Sequence, residues 1–252
     1  MKKISMGLII FLVAFSTHAF AFATGDVILS LYDASTSQEV GYDLGSYATL
    51  SAAGYNSTWA AAINLGTFSE TSYANLTGGI FGATSYAGIG AGTTQFFGST
   101  DATAPTVTNG GLTNFVTSSQ KVSNNYGSNN PSSVSATGRY SFYSIMDLQG
   151  ATTGAYSTLL QDLSGTMSLT GFDVNGNPLP AGVLAVMNLF AYNGTSSSVA
   201  NGGNPVDLIT IMSNGSIQVQ SETTPTPIPA AFLLFGSGLI GLFGMKRKLE
   251  VA

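Results

Sequence analysis

The clearest chemical pattern in the chain is the segment 173–177, of sequence Asp-Val-Asn-Gly-Asn. Oxygen-bearing side chains alternate there around a glycine, and Ca²⁺ prefers several hard oxygen ligands of this kind. The segment departs from the EF-hand loop, because its glycine is fourth rather than sixth and Leu184 stands where a bidentate Glu is required. We expect an Asn-Gly turn between two strands, with Asp173, Asn175 and Asn177 as weak metal-ligand candidates only.

Histidine and cysteine offer almost no chemistry. His18 is the one histidine, and the chain has no cysteine. Because His18 lies in a segment that we expect to be removed, the mature chain would lack Ser-His-Asp triads and imidazole metal sites. Because the chain has no cysteine, Cys-His pairs and disulfides are excluded as well. We find no phosphate-binding glycine motif either. Carboxylate pairs about 5–9.5 Å apart could hydrolyse glycosides, but nothing in the sequence selects such a pair. We therefore predict no enzyme activity and no cofactor.

The distribution of charge excludes one class of partner. Five of the seven cations flank apolar segments at the two ends of the chain, which leaves Lys121 and Arg139 between them. Residues 26–222 carry eleven acids against those two cations. Nucleic-acid binding needs clustered Lys and Arg, so we expect no nucleic-acid partner.

The N-terminal residues 1–23 have the three parts of a secretory signal. A lysine pair follows the first residue, residues 6–15 form an apolar stretch, and small residues come next. The A-x-A cleavage rule is met at Ala21 and again at Ala23. We favour cleavage after Ala23, with an uncleaved membrane anchor as the alternative.

The C-terminal residues 225–252 form a second segment with three parts. A proline-rich spacer, stiff and unable to continue a helix, precedes an apolar run that extends to Met245. Counted from Ile228, this run has 18 residues, or about 27 Å of helix, close to the ~30 Å thickness of the hydrocarbon layer. The sequence predicts a transmembrane helix here, closed on its cytoplasmic side by Lys246, Arg247 and Lys248.

This tail resembles the PEP-CTERM family of sorting signals. The residues that carry the resemblance are Pro227-Ile228-Pro229, the glycine-rich run 234–242 and the basic cluster at 246–248. Ile228 stands where the family has its central Glu, so the tail is a variant, and the resemblance covers residues 225–252 alone. It implies that a membrane-embedded exosortase cuts near the Pro motif and releases or transfers the protein. It also implies a Gram-negative host that makes extracellular polysaccharide, and a surface or matrix role.

The residues between the two ends, 24–224, show strand periodicity. Runs at 27–32 and 39–44 predict a hairpin across a polar turn. Both are rich in β-branched or aromatic residues, as strands are. We expect further strands at 138–146, 166–174, 183–192 and 208–219, the last divided by a turn at Asn214-Gly215.

Helices and loops are expected to be minor. Short helical patterns lie at 59–64, 112–122 and 156–163. Small and polar residues fill 78–94 and 117–138, which we interpret as mobile surface loops, with a binding loop as the alternative for either. The pattern predicts an all-β protein with one β-sandwich or jelly-roll-like domain and minor helix.

Aromatic side chains leave a binding role open, because aromatic faces stack on sugars, although packing in a β core is the commoner use. The leading hypothesis is an exported structural or interaction protein of the cell surface or polysaccharide matrix. It would pass through the inner membrane, meet an exosortase-like enzyme and contact exopolysaccharide. The alternatives are a surface-displayed carbohydrate-binding module and, third, an exported hydrolase. The aromatic candidates are Trp59, Tyr42, Tyr47, Tyr55, Tyr73, Tyr86, Tyr126 and Tyr140.

Overall fold

A computed structural model describes seven stretches of the chain, which together form the domain between the two predicted end segments. The predicted transmembrane helix and most of the predicted signal lie outside them and remain predictions. Within these stretches, no helix has the length and hydropathy needed to cross a membrane. The stretches are 22–59, 62–87, 92–107, 109–147, 165–173, 175–193 and 203–221.

Ten strands in these stretches form one antiparallel sheet, which curls into about half a barrel. The order across the sheet is β3-β10-β9-β8-β5-β4-β1-β2-β6, and β7 pairs with the first residues of β4. The strands are β1 (Asp26–Asp33), β2 (Gln38–Ser46), β3 (Asn56–Trp59), β4 (Thr77–Ala83), β5 (Thr94–Ser99), β6 (Ser132–Ser135), β7 (Met167–Ser168), β8 (Val183–Asn193), β9 (Asp207–Met212) and β10 (Ile217–Ser221).

The sheet is covered on both faces, because alternate residues of its central strands enter two different cores. All eight residues of β1 are buried. Leu29 and Ile80 are paired on one face, and Ile28 and Phe81 are paired on the other. The first core is covered by the segment between β2 and β4, which contains the one-turn helix α1 (Tyr47–Leu50) and two 3-10 turns, Leu65–Phe68 and Tyr73–Asn75.

The second core lies under the long helix α2 (Asn109–Tyr126) and the π-helical turn Tyr143–Asp147. Phe115 of α2 contacts Phe97 of β5 edge-on, with ring centroids 5.9 Å apart. Tyr126 lies directly over Gly41, where an added Cβ would come within 2.5 Å of its ring. These aromatic contacts fix α2 against β2 and β5.

Most of the predicted elements are present. The hairpin at 27–32 and 39–44 is confirmed as β1 and β2. The strand at 183–192 is β8, and 208–219 forms β9 and β10 around the turn at Asn214-Gly215. The helix at 112–122 lies within α2. The mostly-β prediction is therefore confirmed, whereas a β-sandwich describes the arrangement only roughly, because these strands are hydrogen-bonded into one sheet.

Two strand predictions need correction. Residues 138–146 are not a strand but turns that lead into the π-helical segment. Phe142 and Met146 both enter the second core, the first just before and the second within a helical turn whose first N–H groups are held by Glu39. Of the strand expected at 166–174, only the two residues of β7 pair with β4.

Two loop predictions are wrong in part, and one helix prediction is wrong. Residues 78–94 include most of β4, and 117–138 include the end of α2 and all of β6. Glycine hides β4 in the sequence, because a Cβ at Gly79 would lie 2.5 Å from Phe142 and only a bare backbone fits there. Residues 59–64 contain no helix in their described part, since Trp59 ends β3 opposite Ile217. The helix predicted at 156–163 lies outside the described residues.

Candidate functional site

Buried carboxylates are the most unusual chemical feature of the domain, because Asp and Glu are seldom fully buried without partners. Four of them lie on the β1–β2 hairpin, at both of its ends and under α2. The hairpin is therefore the candidate site by residue chemistry. The buried acids in the described stretches are Asp26, Asp33, Glu39, Asp43 and Asp207.

Asp26 and Asp43 lie together at the open end of the hairpin, where a bulge shifts the strand register. Asp26 Oδ2 accepts a hydrogen bond from the backbone N–H of Ala23 at 2.7 Å. Asp43 Oδ1 accepts from the backbone N–H of Gly45 at 2.7 Å. The amide of Asn130 pairs with the Asp43 backbone in both directions, each bond being 3.1 Å long. The cluster thus joins the start of the domain, the hairpin and the loop before β6.

Burial raises the pKa of both carboxyls of this pair. Burial raises the pKa of Asp43 to about 6, because the Gly45 hydrogen bond only partly offsets it and the negative charge of Asp26 adds to it. Burial also raises the pKa of Asp26, against the hydrogen bond from Ala23. Asp43 Oδ2 is buried without a hydrogen-bond partner. A proton on this oxygen would remove a buried negative charge without breaking a hydrogen bond.

A raised carboxyl pKa is what a general acid requires, but access decides what these groups can do. Asp26 is 7% exposed and Asp43 is 3% exposed, so a sugar cannot reach either carboxyl in this conformation. Each acid instead holds backbone groups at the end of the hairpin. The role of the pair in this structure is therefore to hold the end of the hairpin together.

Glu39 organises the centre of the second core. Its Oε1 accepts from the backbone N–H of Phe142 at 2.7 Å, and its Oε2 accepts from that of Tyr143 at 2.9 Å. The Tyr126 hydroxyl also donates to Glu39 at 2.9 Å and lies 2.5 Å from the Ser30 hydroxyl. Burial, and then the negative charge of Glu39, raise the pKa of Tyr126. Glu39 thereby begins the π-helical turn and ties it to α2 and β1.

Asp33 closes the opposite end of the hairpin. Its Oδ1 accepts from both the backbone N–H and the hydroxyl of Ser35, each at 2.7 Å, and its Oδ2 accepts from the Thr36 hydroxyl at 3.1 Å. Burial alone would raise the pKa of Asp33, but these hydrogen bonds and one with Glu70 together lower it. This is an Asx turn, which explains the polar turn between β1 and β2.

The 173–177 segment behaves as a turn. Asp173 Oδ1 accepts from the backbone N–H groups of Asn175 and Asn177, and its Oδ2 accepts from the Asn177 side-chain amide. The Asn177 side-chain amide is the largest contribution to lowering the pKa of Asp173. Gly176 has φ of +78°, as the turn requires. The carboxylate oxygens are thus used within the loop, and no group of three or more metal-ligating His, Cys, Asp or Glu side chains occurs in the described part of the chain.

The predicted processing residues are almost all outside the described part of the chain. Ala21 and the six sorting residues lie outside the described residues. Ala23 is described: its side chain is exposed, and its backbone binds Asp26. The sorting residues concerned are Pro227, Ile228, Pro229, Lys246, Arg247 and Lys248.

Most of the aromatic candidates pack against the core instead of facing solvent. Tyr42 and Tyr126 are buried, and Tyr47 stacks on Phe96 with ring centroids 4.8 Å apart. Trp59, Tyr55 and Tyr73 are partly buried against the first core. Among the large hydrophobic residues described, those exposed by more than a third are Tyr140, at 38%, and Phe172, at 53%.

Glu39 and Asp43 were not among the residues predicted from the sequence. A signal was available, since Glu39, Gly41 and Asp43 alternate along β2 and so share one face of the sheet. That face looks solvated in the sequence, and only the packing of α2 against it reveals a buried network. Comparison with models of protein families, with curated proteins and with solved structures finds no match for this chain.

Proposed function

We propose that the protein is exported, sorted through its C-terminal tail and placed at the cell surface or in the polysaccharide matrix as a structural or interaction protein. One observation carries the proposal: a Pro motif, an 18-residue apolar run and three consecutive basic residues follow one another within residues 225–252. Their order fits a spacer, a membrane-spanning helix and a cytoplasmic stop signal.

The domain fits this role in two further respects. The last described strand, β10, ends at Ser221, and the Pro motif begins at Pro225. A processing enzyme could therefore cut at the Pro motif without breaking β10. Lys121 and Arg139 are the only cations between the two end segments, so the domain lacks the basic surface that would hold it on anionic lipid.

The basic cluster provides the sharpest test of sorting. In a polysaccharide-producing Gram-negative host with an exosortase, we expect the wild-type chain to lose its tail and leave the inner membrane. The triple variant Lys246→Ser, Arg247→Ser, Lys248→Ser should keep its tail uncut, because without the basic cluster the helix is no longer held in the orientation that processing requires. Lys121→Ser is the matched control and should be processed normally. Normal processing of the triple variant, measured by immunoblotting of fractions, would contradict the proposal.

A second candidate function, carbohydrate binding at the surface, is favoured by Tyr140. Tyr140 is 38% exposed, and the Arg139 guanidinium carbon lies over its ring, 5.1 Å from the ring centroid. An exposed ring with a fork of N–H donors over one face combines an aromatic contact with hydrogen-bond donors for a sugar. This is the one exposed aromatic of the eight candidates.

Binding to the host polysaccharide tests this candidate. We expect Tyr140→Ala to weaken retention on the immobilised polysaccharide by about tenfold, as loss of a stacking contact worth roughly 1–1.5 kcal/mol implies. Phe172→Ala is the control, because Phe172 is exposed but has no cation beside it in the described contacts. Equal retention of the wild type and both variants would remove Tyr140 from consideration.

A further inference from the structure

Phe22, which precedes the first strand, belongs to the folded domain. Its side chain is only 7% exposed and lies in the second core. The Phe22 ring contacts that of Tyr126, with centroids 5.1 Å apart. Its carbonyl oxygen accepts a buried hydrogen bond of 2.8 Å from the Ser123 hydroxyl of α2. Phe22 thus contacts the same helix that Glu39 ties to the sheet.

Ala23 continues this attachment through its backbone. The Ala23 N–H donates to Asp26 Oδ2 at 2.7 Å, and its carbonyl oxygen accepts from the Asp26 N–H at 3.2 Å. The Ala23 side chain itself is exposed. The fold therefore uses the ring of Phe22 and the backbone of Ala23, and it leaves the Ala23 methyl group free.

These contacts distinguish between the two cleavage frames that the sequence offers. Cleavage after Ala23 would remove Phe22, open a gap beside Tyr126 and leave the Ser123 hydroxyl without its carbonyl acceptor. Cleavage after Ala21 keeps every one of these contacts. Both frames satisfy the small-residue rule, through Ala19 and Ala21 or through Ala21 and Ala23.

We propose that signal peptidase cleaves the Ala21–Phe22 bond, so that Phe22 is the first residue of the mature protein and remains as a core residue. Water adds across the amide, giving the carboxylate of Ala21 on the released signal and the α-amino group of Phe22 on the domain. This inference rests on the proposed export, and it replaces the cleavage after Ala23 that the sequence alone favoured.

The N-terminal residue of the exported protein tests the assignment directly. We expect Edman sequencing or N-terminal peptide mass spectrometry of the full chain, expressed in a Gram-negative host, to give Phe22. A chain that begins at Thr24 would overturn the inference while leaving export intact. A chain in the cytoplasmic fraction that still begins at Met1 would overturn export, and the inference with it.

Matched variants in the two frames give a second, independent test. Ala23→Gln removes the small residue from one frame only, and its exposed side chain should tolerate the change. We expect this variant to be processed at Phe22, as the wild type is. Ala19→Gln removes the other frame and should accumulate as precursor or begin at Thr24. Material that begins at Thr24 should have a Tm lower by on the order of 10 °C. Accumulation of Ala23→Gln as precursor would contradict the proposal.

Discussion

At the scale of single residues, the described part of the domain buries five acids, four of them on the β1–β2 hairpin. Asp26 and Asp43 fix backbone groups at one end of the β1–β2 hairpin, and Asp33 fixes them at the other. Glu39 holds the N–H groups that begin the π-helical turn. The pKa values of Asp26 and Asp43 are raised in the fold and that of Asp33 is lowered, so these three positions couple the stability of the fold to pH, Asp33 with the opposite sign.

Asp43 should make the protein more stable in mild acid. Its pKa rises from the ordinary value of 3.8 to about 6 on folding, so the folded state binds the proton more tightly than the unfolded state. The resulting stabilisation is complete below about pH 4 and is lost as the pH rises through 6, with a total on the order of 3 kcal/mol. Asp26, whose pKa is also raised, contributes with the same sign.

Asp43→Asn tests this directly. Because the amide is neutral at every pH, we expect urea unfolding of the variant to depend much less on pH between 4 and 6 than that of the wild type. Asp101→Asn, at a partly exposed position, makes the same chemical change and should leave the wild-type pH dependence in place. An undiminished slope in Asp43→Asn would show that Asp43 does not titrate in this range.

At the scale of elements, glycines decide how the covering segments meet the sheet. A Cβ at Gly41 would lie 2.5 Å from the Tyr126 ring, and one at Gly79 would lie 2.5 Å from Phe142. Both rings rest on bare backbone in the second core. Gly41 and Gly79 therefore determine how closely α2 and the π-helical turn approach the sheet.

Adding a methyl group at Gly41 should separate these layers. We expect Gly41→Ala to lower the free energy of unfolding by about 2–3 kcal/mol, since the Tyr126 ring is enclosed and bonded to both Ser30 and Glu39. Gly66→Ala is the matched control, because its nearest neighbour is the exposed Asn64 side chain at 3.2 Å. Urea unfolding measures both, and equal small losses would contradict the packing account.

The same elements show what the sequence could predict. Alternating apolar residues predicted β1, β2, β8, β9 and β10 correctly, because each has side chains to alternate. Strand β4 was missed because glycine stands where a strand usually has a side chain. The Phe142 ring that packs on Gly79 is distant in sequence. The 138–146 segment was mistaken for a strand because aromatic residues are common in strands, whereas Glu39, distant in sequence, caps it as a helical turn.

The site was harder to predict than the fold. The spacing of Glu39 and Asp43 indicates a shared face of β2, but a polar face is ordinarily solvated. Its burial depends on α2, which begins more than sixty residues later. In contrast, the turn at Asp173 was predictable, because its hydrogen-bond partners are its own neighbours.

At the scale of the whole molecule, a domain with few charges, most of them acidic, lies between two segments with the composition of export signals. The described part of the chain begins with Phe22 in the second core and ends with Ser221 of β10. We propose that the N-terminal signal and the segment after the Pro motif are removed during delivery. The domain alone would then be the functional surface protein.

Intact mass spectrometry of the protein from fractionated cells and medium tests whether both end segments are removed during export. We expect a species outside the cytoplasmic membrane that lacks both the N-terminal signal and the segment after the Pro motif. Its mass should be that of a chain that begins at Phe22. A species that retains residues 230–252 and is confined to the inner membrane would contradict it. The helix would then be a permanent anchor, and the protein a tethered periplasmic domain.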